Sequence, residues 1–257
     1  MSKIGLRAMK YNGWALRYVK EQTDKICLEA VREDKHALQY IKNQTEEICL
    51  EAMRKSGLAL KDIRNQTEKI CLEAVRQNGL ALEYVKDQTE RVCIEAVRQD
   101  GRATKHIKVQ TSEVCLAAVR QNGWTLQHFK NQTEELCLEA VRQDGIAILY
   151  VINQTPEICL EAVRQNGYAL EYVKDQTEEI CLEAVRETGY AIKYVKTQTE
   201  EICIEAVTER ADALEYVKDQ TLNVCLAAAK ENRSEALEQI VDPAMVRQVI
   251  EILDTRT

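Results

Sequence analysis

The chain is poor in helix breakers, with 9 Gly and 2 Pro among 257 residues. That scarcity excludes a collagen-like chain or a Pro/Gly-rich disordered one. No apolar run approaches the ~20 residues of a membrane-spanning helix. No charged-then-apolar leader opens the sequence. The expected setting is therefore the cytosol, with no membrane partner. No two of the ten cysteines stand closer than 22 residues, so the local Cys pairs of a structural zinc site are missing. No Gly-rich phosphate loop, Ser/His/Asp set or carboxylate pair of defined spacing stands out. No catalytic residue, metal ligand or cofactor is expected, and the chain does not read as an enzyme.

What is present is a repeat. Cysteines run from Cys27 to Cys225 in steps of 22, and Gln-Thr keeps the same step from Gln22-Thr23 to Gln220-Thr221. A fixed period of this size marks a solenoid or related array, in which each unit packs only on its neighbours. The expected fold is an all-α solenoid (superhelix) of about ten helix-turn-helix repeats with terminal caps. Residues 1–21 read as a truncated N-terminal cap repeat, 22–231 as ten repeats in one continuous solenoid, and 232–257 as C-terminal capping helices.

Residues 66–87, QTEKICLEAVRQNGLALEYVKD, serve as the type unit. Thr67 is placed to cap a helix, and acids in the next positions suit its dipole. Ile70, Cys71, Ala74 and Val75 form one apolar stripe. Gly79 reads as a left-handed helix terminator, while Asn78 could instead cap the next helix. That second helix is expected over about 80–86. Neither helix would be stable alone. Ala74 and its nine equivalents never vary. The cysteines lie in apolar company and read as packing residues, since stacked helices lie about 8–10 Å apart and a disulfide needs Cα atoms about 4.4–6.8 Å apart.

The net charge is −7, divided as +4 over residues 1–21 and −11 over the remainder. Glu73 and Arg76 equivalents recur at a spacing that allows pairing within a helix or to a neighbour. Lys86 equivalents form a basic row, and Tyr84 equivalents an aromatic one. The residue after the turn glycine is the most variable, running Trp14, His36, Leu58, Leu80, Arg102, Trp124, Ile146, Tyr168, Tyr190 and Asp212. The residue three places further on varies too. Several of these are types enriched at binding hot spots, which leaves recognition and drift as the two readings. His106 and His128 leave the consensus in the same stretch, residues 102–129, read as a partner-contact zone or a change in curvature. The partner-binding candidates are thus Trp14, His36, Arg102, His106, Trp124, His128, Tyr168 and Tyr190.

The string AVRQNGYALEYV at residues 162–173, which recurs with lapses across most of 8–219, resembles the helical repeat family called domain of unknown function 4116. The resemblance implies helical repeats and no known activity. The expected function is a non-catalytic scaffold that binds a macromolecular partner, foremost a protein, through variable residues on the second helix of each repeat. The alternative is a nucleic-acid-related module, either reading a strand or mimicking DNA charge. Residues 243–253 are expected to cover the last repeat or to form a dimer contact.

Overall fold

A computed structural model describes residues 13–255. Among them there is no strand, and the chain is an all-α solenoid of helical repeats. Ten α-helices of ten residues each, from Asp24–Glu33 to Leu222–Glu231, alternate with six-residue 3-10 helices. Contacts divide the chain into two units, one ending at Gln121 and one beginning at Asn122. Of the cap at 1–21, residues 1–12 lie outside the described residues, and Gly13–Tyr18 form a 3-10 helix.

In the type unit the α-helix is Glu68–Gln77. Thr67 caps it as the sequence suggests, its Oγ1 accepting from Ile70 N at 3.3 Å. Ile70, Cys71, Ala74 and Val75 are all buried. The second helix is Gly79–Tyr84 and is a 3-10 helix rather than an α-helix. Asn78 opens it by accepting from Leu80 N at 3.0 Å, which settles the choice left open by the sequence. A 3-10 helix eclipses residues three apart. The fixed pair Gly79 and Leu82 thus shares one inward row, and the variable pair Leu80 and Glu83 shares an outward one.

The turn glycines correct the sequence reading. None of the described glycines has positive φ, so they do not end helices in the left-handed region. They are needed for close approach. A Cβ built on Gly79 would collide with the carbonyl oxygen of Ala96 in the next repeat, and one on Gly167 would lie 2.5 Å from Ala184 O. The alanine is fixed for the same reason: its side chain is fully buried and its carbonyl backs onto the glycine. Gly101 is the exception, with only Gln121 Cβ near, at 3.9 Å.

A glutamine locks each repeat to the next. Gln66 Nε2 donates to Leu60 O at 3.4 Å in the preceding repeat and to Tyr84 O at 2.9 Å in its own. Its Oε1 accepts from Lys86 N at 2.9 Å. The same three bonds recur at Gln44, Gln88, Gln154, Gln176 and Gln198. All ten cysteines are free and buried. Burial pushes the thiols of Cys49, Cys71, Cys93 and Cys137 up to about 11 and raises the other six. Cys93 Sγ points at Gln88 Oε1, 3.5 Å away.

At the C-terminus, Arg233–Gln239 takes the place of a 3-10 helix, since Gln220 Nε2 bonds Gln239 O at 3.1 Å and Val241 N bonds Gln220 Oε1 at 2.9 Å. Pro243–Asp254, capped by Asp242, packs on Leu222–Glu231 with Val249 fully buried. Arg233 ties it down through Asp254 at 2.7 Å. Residues 243–253 therefore cover the last repeat. No described helix is long and apolar enough to cross a membrane.

Gln154→Met keeps the volume but strands Tyr172 O and Lys174 N and leaves Ile148 O with the Val151 N–H alone, and should lower unfolding free energy in urea by about 3 kcal/mol. A change at exposed Glu157 to Gln should stay within about 0.5 kcal/mol. The thiols should resist iodoacetamide in the native protein and react together on unfolding. A thiol pKa raised by folding contributes stability fully below the unfolded value and loses it as pH rises through the folded one. The melting temperature should consequently fall between pH 9.0 and about 11, and an unchanged value across that window would contradict the burial of these thiols.

Candidate partner-binding surface

The α-helical edge is taken up by contacts between layers. Arg76 Nε meets Glu95 Oε1 of the next repeat at 2.8 Å, and Arg142–Glu161, Arg164–Glu183 and Arg186–Glu205 repeat the bond. In these four pairs the arginine reaches across layers to the next repeat. The basic row is also tied down. Lys86 Nζ donates to Arg64 O at 2.9 Å, Lys174 Nζ to Ile152 O at 3.0 Å and Lys196 Nζ to Lys174 O at 2.6 Å. The outward face of the 3-10 helices carries the variation.

The two units present that face differently. Residues 1–121 hold 22 Lys and Arg against 17 Asp and Glu, net +5, whereas 122–257 hold 13 against 25, net −12. In the first unit His36 is exposed, its backbone N–H bonded to Asp34. Arg102 is exposed and paired with Asp100 at 2.8 Å, which holds the Asp100 carboxyl below its usual range. His106 is half-buried at the end of Gly101–His106, where its carbonyl accepts from Gln88. The side chain of Trp14 lies outside the described residues.

In the second unit the face is aromatic. Trp124 packs edge-to-face on Tyr150 at 5.6 Å between ring centroids, Tyr168 on Tyr194 at 6.3 Å and Tyr190 on Tyr216 at 6.1 Å. Each pair joins the residue after one turn glycine to the last residue of the next 3-10 helix. Trp124, Tyr168 and Tyr216 are exposed, as is Leu149, which shares the outward row with Trp124 and Tyr168. Lys193 Nζ lies over the Tyr168 and Tyr194 rings, and Arg210 lies 4.6 Å over Tyr190. Arg210 also bonds Asp212 at 3.2 Å, which lowers the Asp212 carboxyl, and Tyr190 Oη donates to the same carboxylate, which raises the phenol. Trp124 Nε1 donates to Asp144. His128 is exposed at the end of Gly123–His128.

The structure thus brings Trp124, Tyr168 and Tyr190 onto one face of one unit. His36, Arg102 and His106 belong to the other unit. The unit boundary at Gln121 falls inside the stretch 102–129 where the sequence leaves its consensus. There, buried Thr104 and Thr125 satisfy their hydroxyls on Gly101 O and Asn122 O, each at 2.7 Å. Sequence reasoning named the tyrosine row and the variable row separately. It missed that they meet across layers, and it missed Asp144, Arg210 and Asp212 as their polar neighbours. The signal was available: a side chain after one turn and a tyrosine 26 residues on are one repeat and four residues apart.

A family model described as Domain of unknown function (DUF4116) matches residues 45–89, 111–154, 133–176 and 155–199, together just over half of the chain. Each match begins on a threonine in the helix-capping register and spans two of the repeats described above. A comparison with curated proteins finds no match. The capping threonine, the fixed alanine and the turn glycine recur through all four matched stretches, and the chain belongs to the DUF4116 family.

Proposed function

We propose that the chain is a non-catalytic cytosolic scaffold that grips a protein partner through the outward face of the 3-10 helices in its second unit. One observation carries the reading. Where the fold leaves a side chain free to vary, the second unit places Trp124, Tyr168 and Tyr190, and it stacks each on a tyrosine of the next layer. Rigid, half-exposed aromatics are the residue types that dominate binding energy at interfaces. The strongest polar side chains elsewhere, the glutamines and the arginine–glutamate pairs, hold layers together.

Trp124→Ala and Tyr168→Ala are the test, with partner capture from the producing cell followed by a binding titration of the captured protein. Both side chains are more than a third exposed, so melting should move little. Each variant should weaken binding by roughly tenfold or more. Unchanged capture by both would reject the surface. Binding to nucleic acid that falls steeply with salt, and no protein partner, would favour a strand-reading module instead.

A further inference from the structure

Three aromatic pairs sit in the same register of the second unit, 22 or 44 residues apart. Two of them carry a cation from the chain itself. Lys193 Nζ lies 5.5 Å from the Tyr168 ring centre and 4.6 Å from that of Tyr194. Arg210 lies over Tyr190 and forks onto Asp212, with Nε at 3.2 Å from Oδ1 and a terminal nitrogen at 3.3 Å from Oδ2. The third pair, Trp124 with Tyr150, is built differently. The position equivalent to Lys193 is Leu149, and the position equivalent to Arg210 is Asp144. An apolar side chain and a carboxylate stand where the sister sites place their cations.

The carboxylate is held in place. Asp144 Oδ1 accepts from Ile146 N at 2.9 Å and Oδ2 accepts from Trp124 Nε1. Each oxygen keeps a further lone pair. Leu149 is 47% exposed and gives the Lys193 register position an apolar side chain. Trp is the aromatic that attracts cations most strongly. A guanidinium can stack on it while forking to a carboxylate, which a point-like ammonium cannot do. The surrounding unit is strongly acidic, net −12.

We infer that Trp124, Tyr150 and Asp144 form a receiving site for an arginine side chain presented by a basic, extended segment of the partner. The guanidinium takes the place over the rings that Lys193 and Arg210 fill in the sister sites. Its methylene stem lies along Leu149. The inference rests on the partner-binding reading of this face and supplies the partner's chemistry.

The chain has two tryptophans, so a Trp14→Phe background leaves Trp124 as the sole indole reporter. Titrated with tetra-arginine amide at about 0.15 M salt, Trp124 emission should change saturably. Tetra-lysine should bind several-fold more weakly. Asp144→Asn removes the anchor, and Leu149→Lys places an ammonium at the Lys193 position. Each should weaken tetra-arginine binding roughly tenfold. Glu157→Gln, which removes one charge from the α-helical face, should leave it unchanged. Binding that Asp144→Asn and Leu149→Lys leave intact reflects net charge alone and overturns the site. So does the absence of any arginine-dependent signal, or stacking of a single-stranded oligonucleotide on Trp124 in preference to the peptide. If a captured partner depends on Tyr168 but not on Asp144 or Leu149, the arginine site falls while the scaffold reading stands. If tetra-arginine binds through Asp144 while Trp124→Ala and Tyr168→Ala leave capture unaffected, the reverse holds.

Discussion

The structure depends on one primary amide per repeat. A six-residue 3-10 helix leaves its last carbonyl without a helical partner, and the carbonyl two residues earlier takes one N–H from just past the helix, as Leu60 O does from Ile63 N. The glutamine amide satisfies two such ends at once, Leu60 O in one layer and Tyr84 O in the next for Gln66, and then accepts the N–H of Lys86. No other side chain of that length offers two donors and an acceptor without charge. Glutamate would present lone pairs to carbonyl oxygens, and asparagine would fall short by a methylene. The partners lie 18 and 20 residues ahead of Gln66, and 19 and 21 ahead of Gln220, where an α-helix replaces the 3-10 helix. The extra residue at Gln220 is absorbed by the change of helix type. With a six-residue 3-10 helix in every internal repeat, that bond geometry keeps the 22-residue step.

The second constraint is closeness. Short helices carry little stability of their own, so layers must approach until backbone meets backbone. Gly79 lies against Ala96 O with no room for a Cβ, and the same contact recurs at Gly123, Gly145, Gly167 and Gly189. The alanine side chain is fully buried. The cysteine suits the same layer: it is small and apolar, and its thiol reaches the glutamine oxygen, 3.8 Å away at Cys71 and 3.7 Å at Cys137. Small residues thus set the layer spacing, and the glutamine sets the register within it.

Much of this was legible in the sequence, for reasons that differ by element. The α-helix announced itself through Ile70, Cys71, Ala74 and Val75 at helical spacing, with Thr67 before it. The second helix gave the right place and the wrong kind. Six residues are too few for periodicity to separate a 3-10 helix from an α-helix. The useful sign was the variation at positions three apart, Leu80 with Glu83, which only a threefold helix superimposes. The glycine was misread because left-handed caps and close approach select the same residue, and only the fixed alanine 17 positions on distinguishes them. The glutamine was visible ten times over, yet its role was not, since invariance in a repeat does not say which backbone groups a side chain reaches. At the candidate site the aromatic rows were each readable. Their meeting was not, because it depends on how one layer is offset from the next.

Once the amide, the glycine and the thiol are fixed, the outward 3-10 row is where residue type changes most from repeat to repeat. The chain uses it unequally. In the second unit, the rings at Tyr168 and Tyr190 are closed by Lys193 and Arg210, and at Trp124 the same geometry is left with a carboxylate and a leucine. A cation over a ring removes the ring's attraction for another. Filling two sites from within the chain therefore concentrates cation affinity at the third. On the proposed reading, the frame of the second unit supplies like positions, and intramolecular cations occupy two of its three aromatic pairs.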